Sequence, residues 1–441
     1  MTYVKIRFLK RKACAVLALA IVMATLSGCW DRHEVDELGI IGSLALDKGP
    51  DGKVLVSLEV LNPSALTSGL GQAGNPIKVV AWVLHDEADT IANALSNAQR
   101  RTPRSLSVGQ VNTVIWGQAL AREGIGRHID YLLREARFRK SAFLSTCDTG
   151  SGLLQRPFME TLPSRSLAGL AMRASVSGKS TMVTLNEFVY KLGEPGVEPI
   201  TMHTAGRRTK DIQVKRQGEE VKQPNPSVVL DNPLDVDVDP LGELPDDSPV
   251  LDPLRQAGTG EPLPPLTIDV GIAAFKGDRM VGLLDGKDAR GFLWAVGRVK
   301  QADLEIPDPS GQAGQLGLTV IRASSSIKPI LNGPLPSMKL QVHVDLELTE
   351  VPFAVRTKKE VVEALEGTVN DFVEQEIRST LGIVQGELKS DIYGFGRLVW
   401  QANPRLWSQL ESVWNDEVFP LVKVEIEVKS RIVGPGSILR D

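Results

Sequence analysis

The reactive group whose neighbours spell out a reaction is the thiol of Cys29. It closes the string Leu26-Ser27-Gly28-Cys29, a branched apolar residue and two small residues ahead of a cysteine. That is the lipobox pattern: the small residues fit a peptidase cleft, and the thiol takes a diacylglyceryl group before the chain is cut. Upstream, Lys5, Arg7, Lys10, Arg11 and Lys12 form a basic stretch with no acid, followed by an apolar run from Ala13 to Met23. This is the layout of an export signal. The run falls short of the roughly 20 apolar residues a spanning helix needs. Residues 1–28 are therefore read as a lipoprotein signal peptide, cleaved to leave S-diacylglycerol on Cys29 and an amino group open to N-acylation. An ordinary secretory signal with an incidental cysteine is the plainer alternative. Two acyl chains would hold the protein to a membrane where one is marginal, each buried methylene contributing about 0.8 kcal/mol.

No other string carries a complete chemistry. Gly69-Leu-Gly71-Gln-Ala-Gly74 fits the dinucleotide fingerprint as letters, but Asn75-Pro76 and a strand follow where a helix N-terminus must receive the pyrophosphate. Gly178-Lys179-Ser180 resembles the end of a phosphate loop, yet Arg173 stands where its first glycine belongs. His33, His85, His128, His203 and His343 are scattered with no metal-pair spacing and read as surface or turn residues. Cys147 has no base near it in sequence and reads as a small buried apolar residue. No Gly-x-Ser-x-Gly elbow occurs, and the acids are too numerous to nominate a catalytic pair. The sequence thus nominates no catalytic residue, no metal site and no cofactor. Trp400, Trp407 and Trp414 recur every seven residues, as a helix-packing stripe would.

Composition bounds the rest. Among 441 residues, 42% are hydrophobic and 24% charged, a globular mix with length for two or three domains. Three cysteines, one lost with the signal and one acylated, leave Cys147 without an intrachain partner. Cleavage removes five basic residues and no acid, so the formal charge of −4 becomes −9. An acidic body excludes a nucleic-acid role and basic-patch adhesion to anionic lipid.

The elements that would carry these residues follow from periodicity. Asp36–Asp47 and Lys53–Leu61 read as a hairpin around a turn rich in glycine and proline, and Ile77–Leu84 as another strand. Asp86 is placed to cap a helix from Glu87 to Arg100. Val111–Trp116 reads as a strand, and the apolar spacing from Leu120 to Ala136 as helical. These alternate as a mixed α/β unit over residues 29–200. Residues 201–265 connect it onward, and within them 222–265 hold ten of the 27 prolines and nine acids, the composition of a flexible segment. Residues 266–441 read as an α+β unit. Its strands are Leu266–Phe275 and Arg279–Leu284 about a Lys-Gly-Asp turn, Leu316–Arg322, and Leu340–Leu348 with one face buried. Helices follow at Lys358–Lys389, Asp391–Gln401 and Pro404–Trp414, the last capped by Asn403, and then a final strand, Leu421–Ile432. The expected fold class is α+β, multi-domain, with mixed sheets and packed helices.

Four blocks in order resemble the Ger(x)C family, the lipoprotein C subunits of spore nutrient germinant receptors. The first is Cys29-Trp30-Asp31 with Glu34, Leu38 and a strand ending Leu46-Asp47-Lys48. The second runs from Val114-Ile-Trp-Gly117 through Glu123-Gly-Ile-Gly126 to Tyr131-Leu-Leu-Arg-Glu135. The third is Val270-Gly271 to Asp285 with Arg290-Gly-Phe-Leu-Trp294, and the fourth Asp391-Ile-Tyr-Gly-Phe-Gly396 with Pro404, Trp407, Trp414 and Phe419-Pro420. The resemblance spans nearly the whole mature chain; only the acidic, proline-rich stretch is unusually long for it. It implies a non-catalytic subunit on the outer face of the spore inner membrane of a Gram-positive spore former. There it would assemble with two integral membrane subunits, A-type and permease-like B-type, in a complex that answers small nutrients and starts germination. Of the family's residues only Cys29 carries over as a site. Gly277 and Gly286 suit tight turns, and Gly394 and Gly396 a helix break. A lipid-anchored solute-binding protein serving a permease is the alternative, and an extracytoplasmic hydrolase a third class.

Overall fold

In a computed structural model of the chain, the described residues are 15, 16, 18, 37–62, 81–155, 162–208, 266–309, 311, 314–350 and 359–434. Cys29, the Gly69–Gly74 string, His33 and the 222–265 segment lie outside them.

The first sheet is built on alternation that serves two faces. Strands β1 (Leu38–Lys48), β2 (Val54–Leu61) and β3 (Ala81–Ala88) form an antiparallel meander, with the β1–β2 hairpin turning at Asp51 and Gly52, both at positive φ. Beside β1 run the short β4 (Ser105–Ser107) and then, in parallel, β5 (Thr113–Gly117), β6 (Phe143–Cys147) and β7 (Ile200–Arg208). From beyond position 265, β8 (Leu266–Lys276) and β9 (Arg279–Asp285) add antiparallel strands, so the order is β3-β2-β1-β5-β6-β7-β8-β9 with β4 paired to β1. Leu44, Leu46, Val114 and Trp116 face the main core with helices α1 (Ile91–Arg100), α2 (Gln118–Glu123) and α3 (Gly126–Arg134). Their neighbours Ala45, Ile115 and Cys147 turn the other way, onto α4 (Gly150–Gln155) and α5 (Pro163–Val176). Both faces are covered, which is why β1 reads as a nearly unbroken apolar run.

The second sheet, β10 (Asp303–Pro307), β11 (Gln315–Ile330), β12 (Ser337–Glu350) and β13 (Lys423–Gly434), buries one face only. Met338, Leu340, Val342, Val344, Leu346 and Leu348 of β12 are all buried, as their period of two predicts. They share a core with Leu365, Val369, Val373, Ile377 and Leu381 of α8 (Lys359–Gly382), which a π turn, Ile383–Leu388, prolongs. Strand β13 lies parallel to β12 at the edge. Its outer amides are met by α8: Ser430 N–H donates to Asn370 Oδ1 and Ile432 N–H to Glu366 Oε1. An edge so occupied is protected from pairing with another chain. Helices α6 (Leu185–Gly193), α7 (Gly286–Ala295), α9 (Phe395–Ala402) and α10 (Pro404–Leu410) lie between the sheets, and one continuous core joins both. The fold is α+β with mixed sheets and packed helices, as expected from the pattern.

Several local expectations are corrected. Asp86 does not cap α1; it lies in β3, and Thr90 Oγ1 accepts the Asn93 N–H instead. The helical run from Leu120 to Ala136 is two helices, because Gly124 takes φ +129° between α2 and α3. Helix α9 begins at Phe395, since Gly394 takes φ +77° ahead of it. Helix α5 carries Ser164, Ser166, Gly169 and Ser175 among its apolar residues, and α6 and α7 are 9 and 10 residues long, too short to show an extended apolar stripe in the sequence. Of the tryptophan stripe, Trp407 and Trp414 are buried against each other, ring centroids 5.3 Å apart, while Trp400 is 36% exposed.

Candidate functional site

Several carboxylates in the described interior hold one segment to another. Asp47, at the end of β1, accepts the backbone N–H groups of Gly150 and Ser151 at 2.8 Å each and so caps α4. The capping carboxylate fills the space over Gly117 at the end of β5, where any Cβ would overlap it. Glu59, fully buried on β2, accepts the N–H and hydroxyl of Ser164 at 3.1 Å each and caps α5 from the sheet. Burial pushes both carboxyls above their ordinary range, against the donors that pull them down.

The β8–β9 turn reaches back in the same manner. Asp278 takes the Gly126 N–H on Oδ2 at 2.9 Å and the Ile125 N–H on its carbonyl at 3.0 Å, fastening the start of α3. Gly124 and Gly126 leave the room this needs, for a Cβ on either would come within 3 Å of Asp278 Oδ2. In the same turn, Gly277 at φ +59° donates its N–H to Glu198 Oε2, whose other oxygen accepts Asn415 Nδ2, both at 2.6 Å.

The carboxylate with the most donors among these is Asp391, 1% exposed. It accepts from the N–H groups of Gly394, Phe395 and Gly396 at 2.8, 3.0 and 2.7 Å and from Trp414 Nε1 at 2.9 Å. Burial raises it to about 6 in spite of four donors that favour the anion. Its carbonyl also accepts the Glu198 N–H at 2.9 Å. Next to it the backbones touch: Gly196 at φ +70° and Gly396 approach so closely that a Cβ built on Gly396 lies 2.8 Å from Gly196 Cα. Across α7 and α8 the device recurs. Glu376 accepts Arg290 Nε at 2.9 Å and Trp294 Nε1 at 3.0 Å, and Gly291 between them lets the helices cross in contact.

The histidines differ from their sequence reading. His128 and His203 are buried, the latter with Nδ1 at 3.1 Å from Thr146 Oγ1, and His85 is enclosed between Ser57 Oγ at 2.8 Å and Gln155 Nε2 at 2.7 Å. Desolvation depresses His85 and His128 to about 4, so both are neutral at pH 7. His128 is on the buried face of α3 and His203 on an inner strand, placements that isolated residue types do not reveal; only His343 is exposed among the four described. Cys147 is buried in the small core under α4 and α5, as read. Among the described residues no three His, Cys, Asp or Glu side chains come together as a metal site would require. Nor is any described helix long and apolar enough to cross a membrane. Ser180, from the string that resembles a phosphate loop, donates to the Gly271 carbonyl.

These contacts tie together residues from the blocks quoted above: Asp47 with Gly117, Gly126 with Asp278, Asp391 with Trp414. Two family matches cover the same ground. Residues 31–203 match the "Spore germination protein N-terminal domain" and residues 270–436 the family described as "Spore germination B3/ GerAC like, C-terminal". The chain belongs to the Ger(x)C family of spore germination proteins. Within it, the chain is 21% identical over 436 residues to spore germination protein KC of Bacillus subtilis, covering 97% of this chain and 96% of that one. It is 19% identical over 429 residues to spore germination protein B3 of the same organism, covering 95% and 96%. The crystal structure of the GerBC protein superposes with a TM-score of 0.50 at 14% identity, over 91% of this chain and all of that one. At that identity the likeness is one of fold.

Sequence reasoning named the Ger(x)C blocks but missed what their polar residues do. The available signal was a lone acid in an apolar strand, Leu44-Ala-Leu-Asp47 or Leu58-Glu-Val60. An acid at such a position must be partnered to be buried.

Proposed function

We propose that the chain is a lipid-anchored, non-catalytic subunit of a spore nutrient germinant receptor, needed for the response to small nutrients that starts germination. The observation that carries this reading is the ordered pair of family matches, 31–203 and 270–436, on one chain. The interior supports it: the buried acids Asp47, Glu59, Glu376 and Asp391 and the half-buried Glu198 are each engaged by donors that fasten one segment to another. Such groups build a rigid body for binding partners. The partners are two integral membrane subunits, A-type and permease-like B-type, and the tether is the acylated Cys29 on the outer face of the spore inner membrane. Of the two sequence units, 29–200 and 266–441, the second lends its first hairpin, β8–β9, to the sheet of the first through pairing with β7. A solute-binding protein of the kind that serves a permease is expected to have two lobes of parallel βαβ units around a cleft. Here the second sheet is antiparallel apart from the β12–β13 pair.

Deleting the gene is expected to abolish germination on one class of nutrient and to leave chemically triggered germination intact. An unchanged nutrient response in a strain with no second receptor for that nutrient would refute the assignment. Cys29→Ala is expected to release folded protein from the membrane fraction and weaken the nutrient response.

A further inference from the structure

Between α6, α7, β11 and α9 lies a crevice of about 350 Å³, and a neighbouring hollow of about 320 Å³ shares Lys191 and Arg298 with it. Its charged lining is cationic: Lys191 from α6, Arg298 after α7 and Arg397 from α9. Arg298 donates to Thr181 Oγ1 at 2.8 Å, a neutral partner, and Arg397 reaches Glu194 at a loose 3.5 Å. The Lys191 ammonium makes no hydrogen bond or ion pair with any described residue and meets Glu187 and Glu194 only at longer range. Burial, together with the charges of Arg298 and Arg397, lowers it to about 8, outweighing the pull of Glu187 and Glu194. Two further donors lack a partner among the described residues: the Tyr393 hydroxyl, on a side chain 6% exposed, and Arg397 Nε. Burial and the nearby Asp391 keep the Tyr393 phenol protonated, hence a donor.

A buried donor without an acceptor is destabilising, so this concentration of unmet donors and excess positive charge calls for an acceptor that brings negative charge. The rest of the lining is apolar, with Val197, Phe292, Val296 and Ile327 among it. Its size falls in the range of small-molecule sites. We propose that this crevice binds a small organic anion, a carboxylate carried on an apolar group, with the carboxylate among Lys191, Arg298 and Arg397 and the apolar group against Phe292, Val296 and Ile327. A carboxylate accepts through both oxygens and donates through neither, which matches a lining whose vacant groups are all donors. Inorganic phosphate satisfies the charge and leaves the apolar wall uncovered. The inference stands on the crevice alone and is independent of the receptor assignment.

The test is calorimetric titration of the full mature chain with phenylacetate, with phenylacetamide and inorganic phosphate as comparison probes. Phenylacetate is expected to bind saturably and the neutral amide not to bind. Lys191→Gln and Arg298→Gln should each weaken phenylacetate about tenfold or more, the value of a charge-assisted hydrogen bond. Should either variant fail to fold, the wild-type chain still decides: limited acetylation read by mass spectrometry should find Lys191 reactive alone and protected by phenylacetate. Absence of binding, equal binding of the amide, phosphate binding in preference to phenylacetate, undiminished affinity in both folded variants, or a Lys191 left unprotected would each overturn the proposal.

Discussion

The sheet of β10–β13 and the junction around Asp391 are adjacent parts of one core, and they are specified in opposite ways. In the sheet every second residue of β12 is apolar and buried, and α8 lies over that face. Volume and patterning suffice there, as in cores that tolerate repacking. At the junction a carboxylate with four donors sits beside two glycines whose backbones touch. Nothing there can change size or donor count without leaving a clash or an orphan. The difference teaches where this fold spends its specificity: the sheet supplies burial, and the junction fixes how the segments meet.

Substitutions that treat the two regions alike should expose the contrast. The largest effect is expected at Gly396→Ala, whose new Cβ meets Gly196 Cα and the Trp407 ring within 3 Å. With backbone on one side and a buried indole on the other, the loss should reach about 4 kcal/mol or more in denaturant melts. A loss below about 1 kcal/mol would mean that the junction yields. Next, Asp391→Ala leaves three backbone amides and the Trp414 indole unpaired, and a loss of about 3 kcal/mol is expected at pH 7.

The same residue has a signature in pH. Its carboxyl is raised from 3.8 to about 6 in the folded chain, so protonation favours folding. The part of stability linked to its protonation is full below about pH 4 and is lost as pH rises through about 6, a span of about 3 kcal/mol, while its hydrogen bonds to the three amides and the indole persist at pH 7. Asp391→Asn, which cannot titrate, should flatten that part of the profile. Parallel profiles for the two proteins would remove Asp391 from the account. Asp47, Glu59 and Glu198 are raised by burial as well and slope the same way, which makes the difference between wild type and variant the informative quantity.

In the sheet, Leu346→Met should cost less than about 1.5 kcal/mol, because the volume is kept and methionine adapts its shape. Smallest of all, Gly367→Ala on α8, where a Cβ would meet no atom within 4 Å, should raise stability by about 0.5–1 kcal/mol. A loss at Gly367 as large as that at Gly396 would erase the distinction between the regions.

The two regions were unequally legible in the sequence. The period of two in β12 and the three-to-four spacing of α8 follow from the geometry of a strand and a helix with one buried side, so both could be read from residue types alone. The turn glycines Gly277 and Gly286 were readable too, and both take positive φ, +59° and +48°. Asp391 was visible within a familiar block, but its task was not, because the Trp414 indole arrives from another segment. The acids of β1 and β2 were hidden for the same reason: Asp47 and Glu59 cap helices more than 100 residues away. Lys191, Arg298 and Arg397 come from three separate elements, and only the packing of α6, α7 and α9 brings them to one crevice. Periodicity is local information, whereas a cap or a crevice supplied from a distant segment is not.

The role proposed for this body is docking to membrane subunits. The direct measurement is affinity purification of the tagged full chain from detergent-solubilised spore inner membranes, with quantitative identification of what comes with it. Two integral membrane germinant-receptor subunits, one of them permease-like, are expected to be recovered in near-equal amounts with the lipidated chain. Recovery of the chain alone, from membranes in which both subunits are present and solubilised, would contradict it.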